Sequence, residues 1–339
     1  MQNFKKTNNI LPLISIIVPN YNHYNYLRQR LECIFNQTYP NFEVILLDDC
    51  SSDKSQEILL EYVKNPKVSH RVFNGTNSGN TFVQWNKGIE LAKGDYIWIA
   101  ESDDFCELHF LEELIQPVLQ NPEIKLVYCQ SNRADELGNI TGSWLNHTDD
   151  LDAALFLTNF VMDGNEFIER FLIRKNVMPN ASGVLFSKKD AAQLGELDMD
   201  PFLKTCGDWL FYIKLVTNKK VAYISKSLNN FRYHSRSVIA GAVKTENRGS
   251  IIDIELKMRQ NVIAFLSIQK PDNWVAIIKK NTQIRKALKY EKALFYIRNN
   301  KKIKGILILC SLPEVFIKNY KFNMKVKMKV NKFFKSIYK

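Results

Sequence analysis

Three acidic residues follow a strongly apolar run in the first third of the chain. Residues 96–100 leave no polar face, and Glu101, Asp103 and Asp104 come directly after them. Such a run is typical of a strand covered on both faces in a parallel sheet. Ligands of open α/β sheets bind beyond the carboxyl ends of such strands, and clustered carboxylates repel unless a cation joins them. The stretch predicts a metal or ligand site; the alternative is an acidic turn that caps a helix near Glu107.

Two other polar segments also follow predicted strands. The run from Leu13 to Val18 leads into Pro19-Asn20-Tyr21-Asn22, and the run from Phe42 to Leu47 leads into Asp48-Asp49. Helical spacing between the apolar runs predicts the order β-α-β-α-β-α-β up to residue 100, typical of a parallel sheet with helices on both faces. Right-handed crossovers would bring the three polar segments into one cleft. Asp48-Asp49 alone also fits a helix-capping turn.

The rest of the chain gives weaker but readable signals. Residues 131–163 read as irregular, and everything after residue 245 reads as helix. Between and around them we predict a helix over 107–119, a strand over 124–129, a helix over 166–173, a strand over 181–186, an amphipathic helix opening at 207, and a strand pair at 221–224 and 230–233.

Composition places the chain among ordinary globular proteins. It has 339 residues, of which 45% are hydrophobic and 24% charged. Its six cysteines form no CxxC pair, so we expect reduced thiols and no structural zinc. Residues 1–9 lack the apolar core of a signal peptide, and no apolar stretch reaches the roughly 18 residues of a membrane span. These features predict a cytoplasmic protein.

The positive charge is concentrated in one part of the chain. The net charge is +12, but residues 274–339 hold 18 Lys and Arg against two Glu, which leaves −4 for the rest. Within this part, residues 321–339 alternate aliphatic and basic residues, which predicts contact with an anionic membrane surface from the cytoplasmic side. A solvated helix bundle or a contact between copies of the chain are the alternatives. Nucleic acid is disfavoured because no recognition module is present.

Five sequence pieces together resemble glycosyltransferase family 2 over about residues 13–240. They are Ile17-Val18-Pro19-Asn20-Tyr21-Asn22, residues 37–43 (QTYPNFE), residues 47–53 (LDDCSSD), Asn77-Ser78-Gly79 with Asn86-Lys87-Gly88, and the acidic stretch. The resemblance implies a GT-A fold, that is, a Rossmann-like α/β fold with a mostly parallel central sheet. It divides the chain into a catalytic domain over residues 1–240 and a basic helical region over 241–339.

The resemblance also implies where the donor binds. Asp49 would accept a hydrogen bond from the base, typically uracil, since a carboxylate can accept the imide N–H. Cys50 stands where the family usually has Gly. The residues implied for nucleotide-sugar binding are Pro19, Tyr21, Asn22, Asp48, Asp49, Asn77, Gly79, Asn86 and Asp103.

For the metal, the resemblance equates the acidic stretch with the family's site for a divalent ion on the diphosphate. Asp104 is expected to be the direct ligand and Asp103 to support ribose or metal, with His234 completing the site. Oxygen ligands favour Mg²⁺ or Mn²⁺. Glu101 replaces the usual Asp, which leaves its role open. The other histidines, including His23, receive no assignment.

Asp208 matches the position of the family's catalytic base at the start of a helix. It would deprotonate the acceptor hydroxyl in a single displacement with inversion. Without the resemblance, the residues around Asp208 favour a plain helix N-cap over a catalytic base. Gly207 replaces a common Glu.

The predicted function is transfer of a sugar from a nucleotide-diphospho-sugar, in particular a UDP-sugar, to a bacterial surface polysaccharide or lipid-linked saccharide. The alternative is a nucleotide-sugar-binding protein without transferase activity, in which Glu101 and Gly207 mark a decayed site. A nucleotidyltransferase is disfavoured because the loop after the first strand lacks glycine and lysine.

Overall fold

The computed structural model describes residues 11–203, 205–234 and 248–319. Within them, one mixed sheet forms the centre of the molecule, in the order β3-β2-β1-β4-β9-β6-β10-β5, with β7 on β6 and β8 on β10. The strands are β1 Ile14–Asn20, β2 Phe42–Asp48, β3 Val68–Phe73, β4 Tyr96–Ile99, β5 Phe105–Cys106, β6 Ile124–Ala134, β7 Ile140–Ser143, β8 Phe160–Asp163, β9 Val184–Ser187 and β10 Lys220–Arg232.

The first four strands are parallel, as the sequence predicts. Asn20 at the end of β1 is in register with Asp48 at the end of β2, and Ile17 pairs with Ile99 of β4. The polar segments that follow these strands therefore meet at one edge of the sheet. Beyond β4, β9 runs antiparallel to both β4 and β6, whereas β10 runs parallel to β6.

Both faces of the sheet are covered. Alternate residues of β1 point to opposite sides, so Ile17 packs in one apolar cluster while Ile16 and Val18 pack in the other. The helices of the described residues are α1 Tyr24–Phe35, α2 Ser55–Tyr62, α3 Thr81–Leu91, α4 Phe110–Gln120, α5 Asp149–Asp152, α6 Gly164–Phe167, α7 Lys188–Gln193, α8 Gly207–Val216, α9 Arg248–Gln269, α10 Trp274–Arg298, α11 Lys302–Cys310 and α12 Pro313–Asn319. This arrangement confirms the predicted fold class.

Three local predictions differ from the structure. The predicted strand pair at 221–224 and 230–233 is one long strand, β10, whose register against β6 shifts between Ile224 and Ser227. Residues 131–163 are not irregular throughout, because β6 extends to Ala134 and the region includes β7 and β8. The predicted strand over 181–186 begins with a 3₁₀ turn at Ala181–Gly183, and a π-helical turn at Ile168–Leu172 continues α6.

The C-terminal helices dock on the sheet domain through a buried arginine of α9. Arg259 donates hydrogen bonds to the carbonyl oxygens of Ile173 and Arg174 and stacks over the ring of Trp209. No helix among the described residues combines the length and apolarity needed to cross a bilayer. Residues 321–339 and residues 235–247 lie outside the described residues, so the predicted division at residue 240 stays a prediction.

Candidate active site

Two histidines and one aspartate meet at the carboxyl end of β4. Asp103 follows that strand, His23 precedes α1, and His234 follows β10. Nε2 of His234 lies 3.0 Å from Oδ2 of Asp103, and Nε2 of His23 lies 4.0 Å from the same oxygen. Nδ1 of His23 contacts the Ser102 hydroxyl at 2.8 Å. In this histidine–aspartate cluster, His23 and His234 are 80 and 131 residues away from Asp103 in the sequence.

The charge of Asp103 is stabilised by the two imidazole rings. Burial alone would raise the pKa of Asp103, but the charge of His23 and the hydrogen bond to His234 outweigh burial and lower it to about 2. Asp103 is therefore a carboxylate at any physiological pH.

Asp104 faces the protein interior. Its carboxylate accepts hydrogen bonds from the Asn180 amide and the Ser182 hydroxyl, both at 2.6 Å, and from the backbone N–H of Arg232 at 2.9 Å. Burial, with a further contribution from Asp103, raises the pKa of Asp104 to about 7, although Arg30 lies 3.9 Å away. The sequence predicts Asp104 as the direct metal ligand. The geometry favours Asp103 as that ligand.

Glu101 is held by a tryptophan. Its Oε1 accepts a hydrogen bond of 2.8 Å from the indole N–H of Trp85 on α3. Burial and, secondly, the charge of Asp103 raise the pKa of Glu101 to about 8. The carboxyl group of Glu101 therefore has its hydrogen-bond partner on α3, and Glu101 is not part of the histidine–aspartate cluster.

The histidine–aspartate cluster fits a divalent ion. The three candidate ligand atoms lie within 4.8 Å of one another. Ligands held at about 2.1 Å in octahedral geometry are separated by about 3 Å when adjacent and about 4.2 Å when opposite, so the distances of 3.0 and 4.0 Å match. His23 was missed in the sequence analysis, although its position directly after the first polar segment places it at the predicted cleft.

The two aspartates after β2 have separate sets of partners. Asp48 is completely buried and accepts from Asn20, Ser51 and Gln56. Asp49 accepts from the side chains of Asn74, Asn77, Ser78 and Gln84 and from the backbone of Ser78.

These contacts join the two aspartates to different parts of the chain. Asp48 fixes the loop after β1 to the loop after β2, whereas the partners of Asp49 lie mainly on the loop between β3 and α3.

The loop after β2 needs an unusual backbone conformation. Cys50 has a φ of +62°, in the left-handed region where glycine is favoured. This explains why the family usually has Gly here. On the facing loop, Asn22 also has a positive φ, and its side-chain oxygen accepts from the backbone of Ser52 and Asp53. Tyr21, which directly precedes Asn22 in that loop, is 44% exposed.

The residues that were expected to lie along the nucleotide make two different kinds of contact. Asn77 donates to Asp49, and its side-chain oxygen accepts from the backbone N–H of Gly79, which has a φ of +69°. Asn86, by contrast, makes two hydrogen bonds with the backbone of Leu197. Asn77 and Gly79 thus belong to the pocket around Asp49, whereas Asn86 ties α3 to the loop before α8.

Asp208 lies in the first turn of α8. Its carboxylate accepts from the Asn176 amide at 3.2 Å and from the backbone N–H of Trp209 at 2.7 Å. Burial raises the pKa of Asp208 to about 6. The Asp208 side chain stays partly exposed. Its carboxylate can therefore take up a proton near neutral pH.

Gly207 is required by the close approach of α3. A Cβ atom at Gly207 would lie 2.4 Å from the ring of Phe82. The substitution of the family's usual Glu therefore accompanies a bulky residue on the facing helix. Tyr212, one turn farther along α8, is fully buried and its pKa is raised well above the usual value by burial, with contributions from both Asp208 and Glu101.

Comparison with known proteins agrees with this geometry. The model of the family described as Glycosyl transferase family 2 matches residues 15–183. An uncharacterized glycosyltransferase of Haemophilus influenzae is 36% identical over 176 residues, which cover 50% of this chain and 67% of that protein. The chain spans half or less of the length of several other curated relatives.

Two solved structures share the fold. TarS of S. aureus in complex with UDP-GlcNAc has a TM-score of 0.60 and 17% identity, covering 86% of this chain and 88% of that one. The mannosyltransferase PcManGT from Pyrobaculum calidifontis, in complex with GDP-Man and Mn²⁺, has a TM-score of 0.54 and 14% identity, covering 91% and 88%.

Proposed function

Because this chain belongs to glycosyltransferase family 2 and is a glycosyltransferase, we propose that it transfers a sugar, with inversion, from a nucleotide-diphospho-sugar to a saccharide or lipid-linked saccharide. The observation that carries the proposal is the convergence of Asp103, His23 and His234 at the carboxyl end of β4. A bacterial surface polysaccharide or glycolipid is the proposed acceptor class, following the family resemblance.

The proposed donor is a UDP-sugar. The UDP-GlcNAc complex of TarS supports this choice, and the GDP-Man complex of PcManGT makes a guanine nucleotide the first competitor to test. In the proposal, Asp49 with its loop partners meets the base, and the exposed ring of Tyr21 covers it. Pro19, Asn22 and Asp48 shape the same loops, and Asn77 and Gly79 line the ribose side.

Asp103, His234 and His23 would hold the divalent ion. Their imidazole nitrogens and carboxylate oxygen suit Mn²⁺, the ion that is present in the PcManGT complex. When bound, the ion neutralises the charge that develops on the departing diphosphate. The proposal leaves Asp104 and Glu101 outside the ligand set, because their carboxyl groups are engaged by Asn180, Ser182 and Trp85. Asp104 instead positions the strand end that carries Asp103.

Asp208 is the proposed base. It takes the proton of the acceptor hydroxyl as that oxygen forms a bond to the anomeric carbon, and the bond from this carbon to the diphosphate oxygen breaks. The electron pair of the broken bond leaves with the nucleoside diphosphate. The raised pKa of Asp208 and its hydrogen bond to Asn176 support this role, since they hold a basic carboxylate in a fixed orientation.

A donor screen tests the proposal. Nucleoside diphosphate release from UDP-GlcNAc, UDP-glucose, UDP-galactose and GDP-mannose is measured with Mn²⁺, and donor binding is measured by calorimetry. We expect metal-dependent binding of a UDP-sugar that Asp103→Ala weakens and that Asp149→Asn, an exposed control, leaves unchanged. Tighter binding of GDP-mannose would refute the uridine assignment, and binding of every donor without metal and regardless of Asp103 would refute the metal assignment.

A further inference from the structure

Helix α11 exposes an aliphatic face to solvent. Ile303, Ile306 and Leu307 are 79%, 52% and 66% exposed, and Cys310 is exposed as well. The spacing of these four residues, i, i+3, i+4 and i+7, places them on one side of the helix. Exposed aliphatic residues that share a helix face usually mark a contact surface.

The opposite side of α11 is fixed against α10. Gly305 is buried, and a Cβ atom there would lie 2.6 Å from the carbonyl oxygen of Ala293 and from Ile297. The absence of a side chain at Gly305 lets the two helices approach closely. Helix α11 is therefore packed against α10 on one side, and this packing directs its aliphatic face to solvent.

Basic residues surround this aliphatic face, and one of them, Lys304, also lies over the ring of Tyr296. Arg298, Lys301, Lys302 and Lys304 are exposed at the turn between α10 and α11, and no acidic side chain of the described residues pairs with them. The two acidic residues between 274 and 319 are engaged elsewhere, Glu291 with Arg248 and Glu314 with Lys286.

We propose that the aliphatic face of α11, with the basic residues around it, docks onto an anionic lipid surface. Lipid tails accept the Ile and Leu side chains, while anionic headgroups meet the Lys and Arg side chains. The same composition continues in sequence, because residues 320–339 hold seven Lys and no acidic residue. Docking through α11 is independent of the donor site and would bring a lipid-linked acceptor to the enzyme.

The composition of the face favours lipid over nucleic acid. Nucleic-acid surfaces combine basic residues with aromatic rings or hydrogen-bonding side chains that meet bases, whereas the four residues of this face are Ile303, Ile306, Leu307 and Cys310. An apolar requirement in addition to a charge requirement is therefore the distinguishing property to measure.

Vesicle sedimentation of the full-length protein tests this docking. Vesicles of equal parts phosphatidylcholine and phosphatidylglycerol are compared with pure phosphatidylcholine. We expect binding to the mixed vesicles only, an about tenfold or larger loss for Ile306→Gln/Leu307→Gln, and an about fivefold loss for each lysine in Lys302→Gln/Lys304→Gln. Matched controls at other exposed positions, Leu137→Gln and Lys64→Gln/Lys189→Gln, should bind like the unmodified protein.

Cys310 supplies a second readout. It is exposed, whereas Cys50 is half-buried and the other four cysteines are buried. An environment-sensitive fluorophore on Cys310 in a Cys50→Ser background should shift to the blue with the mixed vesicles.

Unchanged vesicle binding by Ile306→Gln/Leu307→Gln, or an unshifted fluorophore, would overturn the proposal. So would light scattering in which the same double variant converts a dimer to a monomer, because the face would then cover a second copy. Donor binding is measured on the α11 variants and their surface controls and should not change, which separates this test from that of the proposed reaction.

Discussion

Asp103 and Asp104 are neighbours in the chain, but their carboxylates face different partners. Asp103 points to the imidazoles of His234 and His23, whereas Asp104 accepts from Asn180, Ser182 and the backbone of Arg232. One carboxylate thus faces the cleft and the other faces the interior. The acidic stretch therefore separates into a half that the proposal assigns to the metal and a half that is hydrogen-bonded in the interior.

Replacing each aspartate by asparagine should distinguish the roles of Asp103 and Asp104. We expect Asp103→Asn to weaken Mn²⁺ binding about tenfold or more, as for the loss of a direct ligand. Asp104→Asn should change Mn²⁺ affinity little but destabilise the fold by about 1–3 kcal/mol, because buried donors lose an acceptor. Calorimetric titration with Mn²⁺ and UDP, together with thermal melting, measures both effects. A larger loss of Mn²⁺ affinity in Asp104→Asn than in Asp103→Asn would instead identify Asp104 as the direct ligand, as the sequence predicts.

His23 should contribute a nitrogen ligand. In the electron paramagnetic resonance spectrum of the Mn²⁺ complex, we expect the ¹⁴N coupling to decrease in His23→Gln and to persist in His70→Gln, a half-buried control on β3. Ser102→Ala removes the partner of His23 Nδ1 and should weaken Mn²⁺ binding roughly tenfold by releasing the ring. An unchanged ¹⁴N coupling in His23→Gln would exclude this histidine from the ligand set.

The pH dependence of transfer should report Asp208. The base acts as a carboxylate, and its pKa is about 6, so kcat/KM should fall as the pH decreases through about 6 and level off above it. Asp208→Asn should lower kcat by about 10²-fold or more while donor affinity is retained. Rate measurements between about pH 5 and 8, with donor binding measured in parallel, test both statements. A variant that keeps turnover would remove Asp208 as the base.

The parallel arrangement of the first four strands and their shared edge could be predicted because both depend on local patterns. The apolar runs ending at Val18, Leu47 and Ala100 determine the parallel half of the sheet, and its register aligns their polar ends. The side-chain directions of Asp103 and Asp104 could not be predicted, since they depend on partners more than 70 residues away, such as Asn180 and Arg232. The same holds for His23, whose role depends on a loop packed beside a distant strand end.

The reasons for the departures from the family pattern at Glu101 and Gly207 could not be predicted either, because they depend on tertiary contacts. Glu101 has a specific partner in Trp85, and Gly207 faces the ring of Phe82. Both residues are therefore accommodated by facing side chains of α3. Sequence alone presents each as an isolated substitution, because its compensating residue lies more than 15 positions away.

The contact between Gly207 and Phe82 gives the last prediction. Gly207→Ala would place a methyl group 2.4 Å from the ring, so we expect a loss of stability of roughly 1–3 kcal/mol from overpacking. Phe82→Leu frees space and should make the alanine less costly in the double variant, a coupling that a double-mutant cycle measures by chemical unfolding. Gly142→Ala, where a Cβ atom meets no atom within 4 Å, is the matched control. If the two single effects simply add, the ring does not explain Gly207; if they couple, the start of α8, and with it Asp208, is positioned by the packing of α3.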